Sequence, residues 1–270
     1  MYYLSSFRDF FKTDPNPTQV KATKTVVGGA GGYFESFAVD NRIPTQPVVF
    51  ITEDASNGAL RKYIPPLSST TTGGNYDALH TAGGLYRYLV IVNSTHFKWS
   101  TSLAEGRTSQ LNYYSYSEGI DFHNGFLYFV SKTLYKMFIL DLDNKTYTTI
   151  STQFGSLGTG GGAFNNQPDQ IVRNSGDYLY LTEDGGVSPG IYALHKPTGA
   201  KYAIVQGYST ALQYDETSGL AFSPDGKKMY TAFQDCGCLL EFSRDDGLSF
   251  DGETLDVKFH TPTQVFRRHV

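Results

Sequence analysis

From Gln167 to Gly186 the chain reads QPDQIVRNSGDYLYLTEDGG: a carboxylate, an apolar run, a tight polar turn, a second apolar run and two more carboxylates. The same order recurs in Ser117–Lys132 (SEGIDFHNGFLYFVSK) and Thr217–Asp235 (TSGLAFSPDGKKMYTAFQD), and more loosely in Phe34–Asp54. Short apolar runs bounded by turn residues predict strands. The turns between them, His123-Asn124-Gly125, Asn174-Ser175-Gly176 and Pro224-Asp225-Gly226, supply the Gly, Asn and Asp that hairpins need for positive φ. The repeating unit is a β-hairpin with an acidic or small polar residue just ahead of its first strand.

Aligning Glu118 with Asp169 and Ser218 gives spacings of 51 and 49 residues, whereas Glu35 to Glu118 is 83, one unit plus an insertion. A period of about 50 residues fits one four-stranded propeller blade, which can bury its faces only against its neighbours. Third strands are expected at Leu60–Ile64, Leu134–Leu142, Gly190–His195 and Leu239–Ser243, and fourth strands at Tyr147–Ile150, Lys201–Val205 and Leu255–Phe259. Tyr86–Val92, the most β-prone run, is read as a buried strand pairing with Phe97-Lys98-Trp99 across Asn93–His96. The predicted fold is all-β, a β-propeller of four-stranded blades with four repeats visible and five or six blades allowed. Residues 1–32 read as an N-terminal lead or part of an incomplete blade, 33–260 as the propeller and 261–270 as a tail. Residues 65–84, rich in Ser, Thr and Gly, read as a surface loop.

A chain of 270 residues with 20 Tyr, 19 Phe and 28 Gly can build one large β domain. Its net charge of −4, without a Lys/Arg cluster, argues against a nucleic-acid partner. No apolar run reaches membrane-spanning length, and a monomer is expected. The start, MYYLSSFRDFFKTD, lacks the basic region and apolar core of an export signal. The sequons Asn93-Ser94-Thr95 and Asn144-Lys145-Thr146 point instead towards secretion.

Loops entering the innermost strands of a propeller ring the channel mouth, so Glu35, Glu118, Asp169 and Glu216 are expected to converge there, Glu216 one position out of phase. Clustered carboxylates repel one another unless hard cations share them, and Ca2+ takes roughly six to eight oxygens. A second ring, Glu53, Asp54, Glu183 and Asp184, follows the second strands and serves either metal or structure. Other motifs carry less. The glycines Gly28, Gly29, Gly31 and Gly32 precede a strand rather than a helix and read as a turn, not a phosphate loop. The six histidines show no metal spacing, and Ser131, Thr217 and Ser218 lack the turn of a nucleophilic serine. Cys236 and Cys238, placed on one strand face, read as paired free thiols. Arg61, Arg107 and Arg173, at the repeat edges, pair on the surface or meet an anion.

The runs ESFAVD…FITEDASNGALRKYIP, SEGIDFHNGFLYFVS, NNQPDQIVRNSGDYLYLTEDG and ETSGLAFSPDGKKMYTAFQ together resemble the PhoX-type alkaline phosphatase family across residues 33–243. That resemblance implies a six-bladed propeller and a phosphomonoesterase dependent on calcium, or on iron and calcium, with its metals at one mouth of the channel. It also implies a small anionic substrate such as a phosphate monoester, and an extracellular location. An iron (Fe3+) site of that kind needs the family's cysteine ligand, and no segment matching the one that carries it is found here. The alternatives are a calcium-stabilised binding or cell-surface propeller without catalysis, and a lactonase-like hydrolase using one Ca2+.

Overall fold

The computed structural model describes residues 2–4, 10–13, 22–67, 79–153, 155–156, 163–164, 166–174, 176–206 and 214–250. They divide into two compact units, 1–149 and 150–270. In the first, β1 (Tyr2–Leu4), β2 (Phe10–Thr13) and β3 (Ala22–Lys24) make a three-stranded antiparallel sheet. Next, β4 (Phe34–Asp40), β5 (Val48–Glu53), β6 (Arg61–Ile64), β7 (Leu85–Ile91) and β8 (Phe97–Ser100) form a five-stranded meander. A helix, α1 (Leu103–Tyr113), leads into a four-stranded meander of β9 (Ser117–His123), β10 (Phe126–Ser131), β11 (Lys136–Asp141) and β12 (Thr146–Ser151). In the second unit a short pair, β13 (Gly155–Ser156) and β14 (Ala163–Phe164), precedes a four-stranded meander. This consists of β15 (Gln167–Arg173), β16 (Tyr178–Asp184), β17 (Gly190–His195) and β18 (Lys201–Gln206). A three-stranded meander follows, of β19 (Thr217–Phe222), β20 (Lys228–Phe233) and β21 (Cys238–Ser243).

The turn chemistry acts as read. Asn124 (φ 46°) and Gly125 (φ 85°) take the positive φ of a two-residue hairpin, and His123 pairs with Phe126 across it. The second strands, VVFITE, FLYFVS and YLYLTED, are buried almost end to end because both their faces are covered. On β5, Phe50 faces one core with Leu60, Phe129 and Phe138, while Val49 and Ile51 face another with Val27, Phe34 and Tyr63. Outer strands are wetter: every residue of β12 is half-buried or exposed.

Successive first strands neighbour each other within each unit, β4 beside β9 and β15 beside β19. A hydroxyl opening the later strand fastens each junction. Ser117 Oγ accepts from Glu53 N at 3.3 Å and donates to Glu53 O at 3.2 Å. Thr217 Oγ1 accepts from Glu183 N at 2.9 Å and donates to Glu183 O and Gly190 O at 3.2 and 2.8 Å. All these residues except Gly190 were legible in the repeat, but not this pairing between consecutive sheets.

Several readings need correction or addition. Helix α1 was not foreseen, because its buried face is polar and small (Gly106, Ser109, Gln110) rather than apolar. Gln110 Nε2 donates to Glu53 O and Ala55 O, both at 2.8 Å, and Ile91 N donates to Ser109 Oγ at 2.9 Å. The overlooked signal was the N-cap: Ser102 Oγ accepts from Glu105 N at 3.3 Å, in a Ser-x-x-Glu sequence. The run Tyr86–Val92 is a strand, but only Leu89 and Ile91 in it are buried, since β7 lies beyond the two-sided core strands. Cys236 and Cys238 are not free thiols but a disulfide. Cys236 sits in the turn before β21, not on the strand, and Gly237 (φ 62°) bends the backbone so that the two Cα atoms are 5.3 Å apart. The expected strand Leu255–Phe259 and the tail lie outside the described residues, as do residues 68–78 of the expected loop.

Candidate metal centre

Each repeat builds its acidic position with the same bulge. Residues 35–36 oppose Thr52, 118–119 oppose Val130, 169–170 oppose Thr182, and 218–219 oppose Ala232. An extra residue in one strand re-aims its side chain away from the regular alternation. Threonine fills two of these bulges. Thr52 Oγ1 accepts from Ser36 N at 3.1 Å and donates to Ser36 O at 3.2 Å, and Thr182 Oγ1 accepts from Gln170 N at 2.8 Å. Glu35, Glu118, Asp169 and Ser218 therefore hold equivalent places.

In the first unit Glu35 and Glu118 each present a carboxylate oxygen, the two lying within 4.8 Å. Glu118 is 2% exposed and Glu35 half-buried. Lys132 Nζ stands 2.9 Å from Glu118 Oε1, an ion pair without hydrogen-bond alignment, and 3.5 Å from Asp54 Oδ2. Neither Asp54 Oδ1 nor Glu118 Oε1, both buried, accepts a hydrogen bond. Burial first, then the charges of Glu35 and Asp54, push the Glu118 carboxyl up to about 10, against the opposing pull of Lys132. One ammonium is thus shared between Glu118 and Asp54, with the Glu35 carboxylate close to Glu118.

Lys132 was missed in the sequence. It ends the hairpin at the place where the other two TED-type repeats carry Asp54 and Asp184, so VSK against TED was the available signal.

The second ring divides by role. Glu53 is buried and paired with Arg61 Nη2 at 2.6 Å, while Arg61 also donates to Gly28 O and Gly31 O at 2.9 and 2.8 Å. Arg61 thereby holds the glycine turn, and it is a buried residue rather than a surface one. Glu183 accepts from Asn166 N at 3.1 Å and Gly190 N at 2.9 Å. Both glutamates brace loops. Asp54 faces Lys132, and Asp184 is half-buried at the end of β16.

In the second unit Asp169 is 4% exposed, accepting from Gln170 Nε2 at 3.1 Å and Thr182 Oγ1 at 3.3 Å. Glu216 precedes β19 and accepts from Gln234 Nε2 at 3.2 Å, so Ser218 occupies the position equivalent to Glu118. Beside it Asp215, 2% exposed, accepts from Glu216 N, Asp235 N and Cys236 N at 2.7, 2.7 and 3.1 Å. Burial raises its pKa, but these three amides outweigh burial and hold the carboxyl below its ordinary range. Its function is to close the turn that carries the disulfide.

Two oxygens of buried or half-buried carboxylates at this spacing, with unaccepted oxygens beside them, suit a hard dication. They do not suit iron of the kind held through thiolate, because both cysteines are tied up in the disulfide.

No protein-family model matches the chain, and no curated protein sequence matches it. Solved structures do. A structure of Pseudomonas fluorescens PhoX in complex with vanadate, a transition-state analogue, aligns at TM-score 0.65 and 15% identity over 90% of this chain. The chain spans 58% of the length of that PhoX chain. A nidogen/laminin complex aligns at TM-score 0.55 and 14% identity, over 88% of this chain and 72% of that one. Antiparallel meanders repeating with one bulged first strand, together with these likenesses, show the fold: the chain is a β-propeller.

Proposed function

We propose that this protein binds a divalent cation, Ca2+ foremost, through Glu118 and Glu35, and uses it to engage a small anion of the phosphate-monoester kind. The observation that carries the reading is Glu118: a nearly inaccessible carboxylate beside Glu35 and Asp54, whose buried Oε1 accepts no hydrogen bond and meets only the ammonium of Lys132 among the contacts described. Such a group is costly unless a cation is supplied. In the first unit Asp54 is a weaker proposed ligand; in the second unit Asp169 is the proposed ligand on repeat equivalence, with Asp184 and Glu216 weaker ones, and Glu53 and Glu183 brace the loops of their own units.

A bound cation would supply Lewis-acid polarisation and a clamp on phosphoryl oxygens. The chain's own residues hold it, exclude water from Glu118 and place Lys132 within reach of the same oxygens. The PhoX likeness supports a phosphomonoesterase on a propeller scaffold. The likeness to a nidogen/laminin complex supports the second reading, a non-catalytic propeller in which the cation stabilises a binding module.

Hydrolysis of p-nitrophenyl phosphate by the purified chain, with Ca2+ and with chelator, separates them. Calcium-dependent turnover that Glu118→Gln abolishes is the expected result. Calcium binding without turnover of monoester or sugar lactone moves the conclusion to the binding module. Unchanged calcium affinity in both Glu118→Gln and Asp169→Asn overturns the metal reading.

A further inference from the structure

Lys132 stands where the repeat elsewhere puts an aspartate, at the end of β10, and its ammonium lies between Glu118 and Asp54. Its side chain is 23% exposed, against 2% for Glu118, so it reaches from solvent inward to the buried carboxylate. Burying a long amphipathic stem while keeping the head movable is what lysine does readily.

We propose that Lys132 is a cation-displaced anion contact: in the cation-free protein its ammonium lies on Glu118 and Asp54, and a divalent cation on Glu118 and Glu35 turns it outward to a phosphate-type oxyanion. This inference rests on the metal reading above and goes beyond it by assigning the anion-binding residue and a coupling between the two ligands.

The argument is electrostatic. Two positive ions cannot share Glu118 Oε1 at the present 2.9 Å separation without strong repulsion. A dication out-competes a lysine for clustered carboxylates because it gathers several oxygens at once. Once displaced, Lys132 keeps Asp54 within reach on the solvent side, 32% exposed, and presents its donors beside the cation. An oxyanion bridging the two then meets positive charge from both. Backbone geometry limits how far the lysine can retreat, because Lys132 N donates to Tyr116 O at 3.0 Å, and Tyr116 (φ 53°) in turn donates to Ala55 O at 3.0 Å. The main chain beneath Lys132 is thereby tied to the loop that carries Asp54, and the movement is confined to the side chain.

Calorimetric titration of the full chain with CaCl2, and then of the calcium-saturated protein with methylphosphonate, tests this. The parent is expected to bind methylphosphonate more tightly with calcium than with chelator. Lys132→Met is expected to bind calcium several-fold more tightly, because its competitor is gone, and to lose roughly tenfold or more in methylphosphonate affinity, the value of one charge-assisted hydrogen bond. Lys132→Arg should restore part of the anion affinity. If Lys132→Met binds calcium no better than the parent, or keeps the parent's anion affinity, the inference is overturned while the calcium site stands. If the parent binds no calcium at all, the metal reading and this inference fall together, so the parent's own CaCl2 titration tells the two failures apart.

Discussion

Glu118 is the residue on which the proposed cation site turns, and its protonation sets a measurable signature. Its carboxyl lies at about 10 in the fold and near its ordinary value in the unfolded chain. Between those values the native state holds the extra proton, so rising pH destabilises the cation-free protein across this window. Melting temperatures recorded in chelator from pH 6 to 9 should therefore fall with pH, and fall less steeply in Glu118→Gln. With saturating calcium this slope is expected to vanish, because the cation holds Glu118 ionised in the native state, as it already is in the unfolded chain across this window. Equal pH slopes in parent and mutant, measured in chelator, would remove Glu118 as the perturbed group. The acid itself was legible from its place ahead of an apolar run. Its isolation from water was not, because burial depends on which sheet lies beside β9.

At the scale of elements, the junction between consecutive sheets depends on one hydroxyl apiece. Thr217→Val keeps the shape of the side chain and removes three hydrogen bonds to buried backbone groups of Glu183 and Gly190. Leaving such groups unpaired costs on the order of 1–3 kcal/mol. Denaturant unfolding should show that loss, while Thr198→Val, in an exposed turn, should change stability by less than about 0.5 kcal/mol. The disulfide belongs to this scale too. Thiol titration of unfolded, unreduced protein is expected to find no free cysteine, and two after reduction. Hairpins were readable because short apolar runs and Asn-Gly or Asp-Gly turns are local. Helix α1 escaped because it is held by Gln110 and Ser109 hydrogen bonds rather than by an apolar stripe. The cysteines misled because a strand was assumed where Gly237 makes a turn.

For the whole molecule, a cation that binds only the native state raises stability by RT ln(1 + [L]/Kd), about 2.7 kcal/mol at a hundredfold excess over Kd. A melt in excess Ca2+ should exceed the melt in chelator by several degrees, and Glu118→Gln should lose that difference. Identical melts of metal-free parent protein in the two conditions would count against any cation site. No helix among the described residues is long and apolar enough to cross a membrane.

The sequence by itself determined the propeller: a unit that recurs every 49 to 51 residues, with its hairpin turns and an acid among the opening residues of three of the four first strands, is legible from local patterns repeated along the chain. Tertiary structure alone decided which acids do what. Glu53 and Glu183 look identical to Asp54 and Glu118 in a string of letters. They are consumed by Arg61 and by loop amides that only the fold brings near, whereas Glu118 is left facing Lys132 and Glu35. A carboxylate's role is set by the charges and donors within a few ångströms of it, and those come from residues far away in sequence.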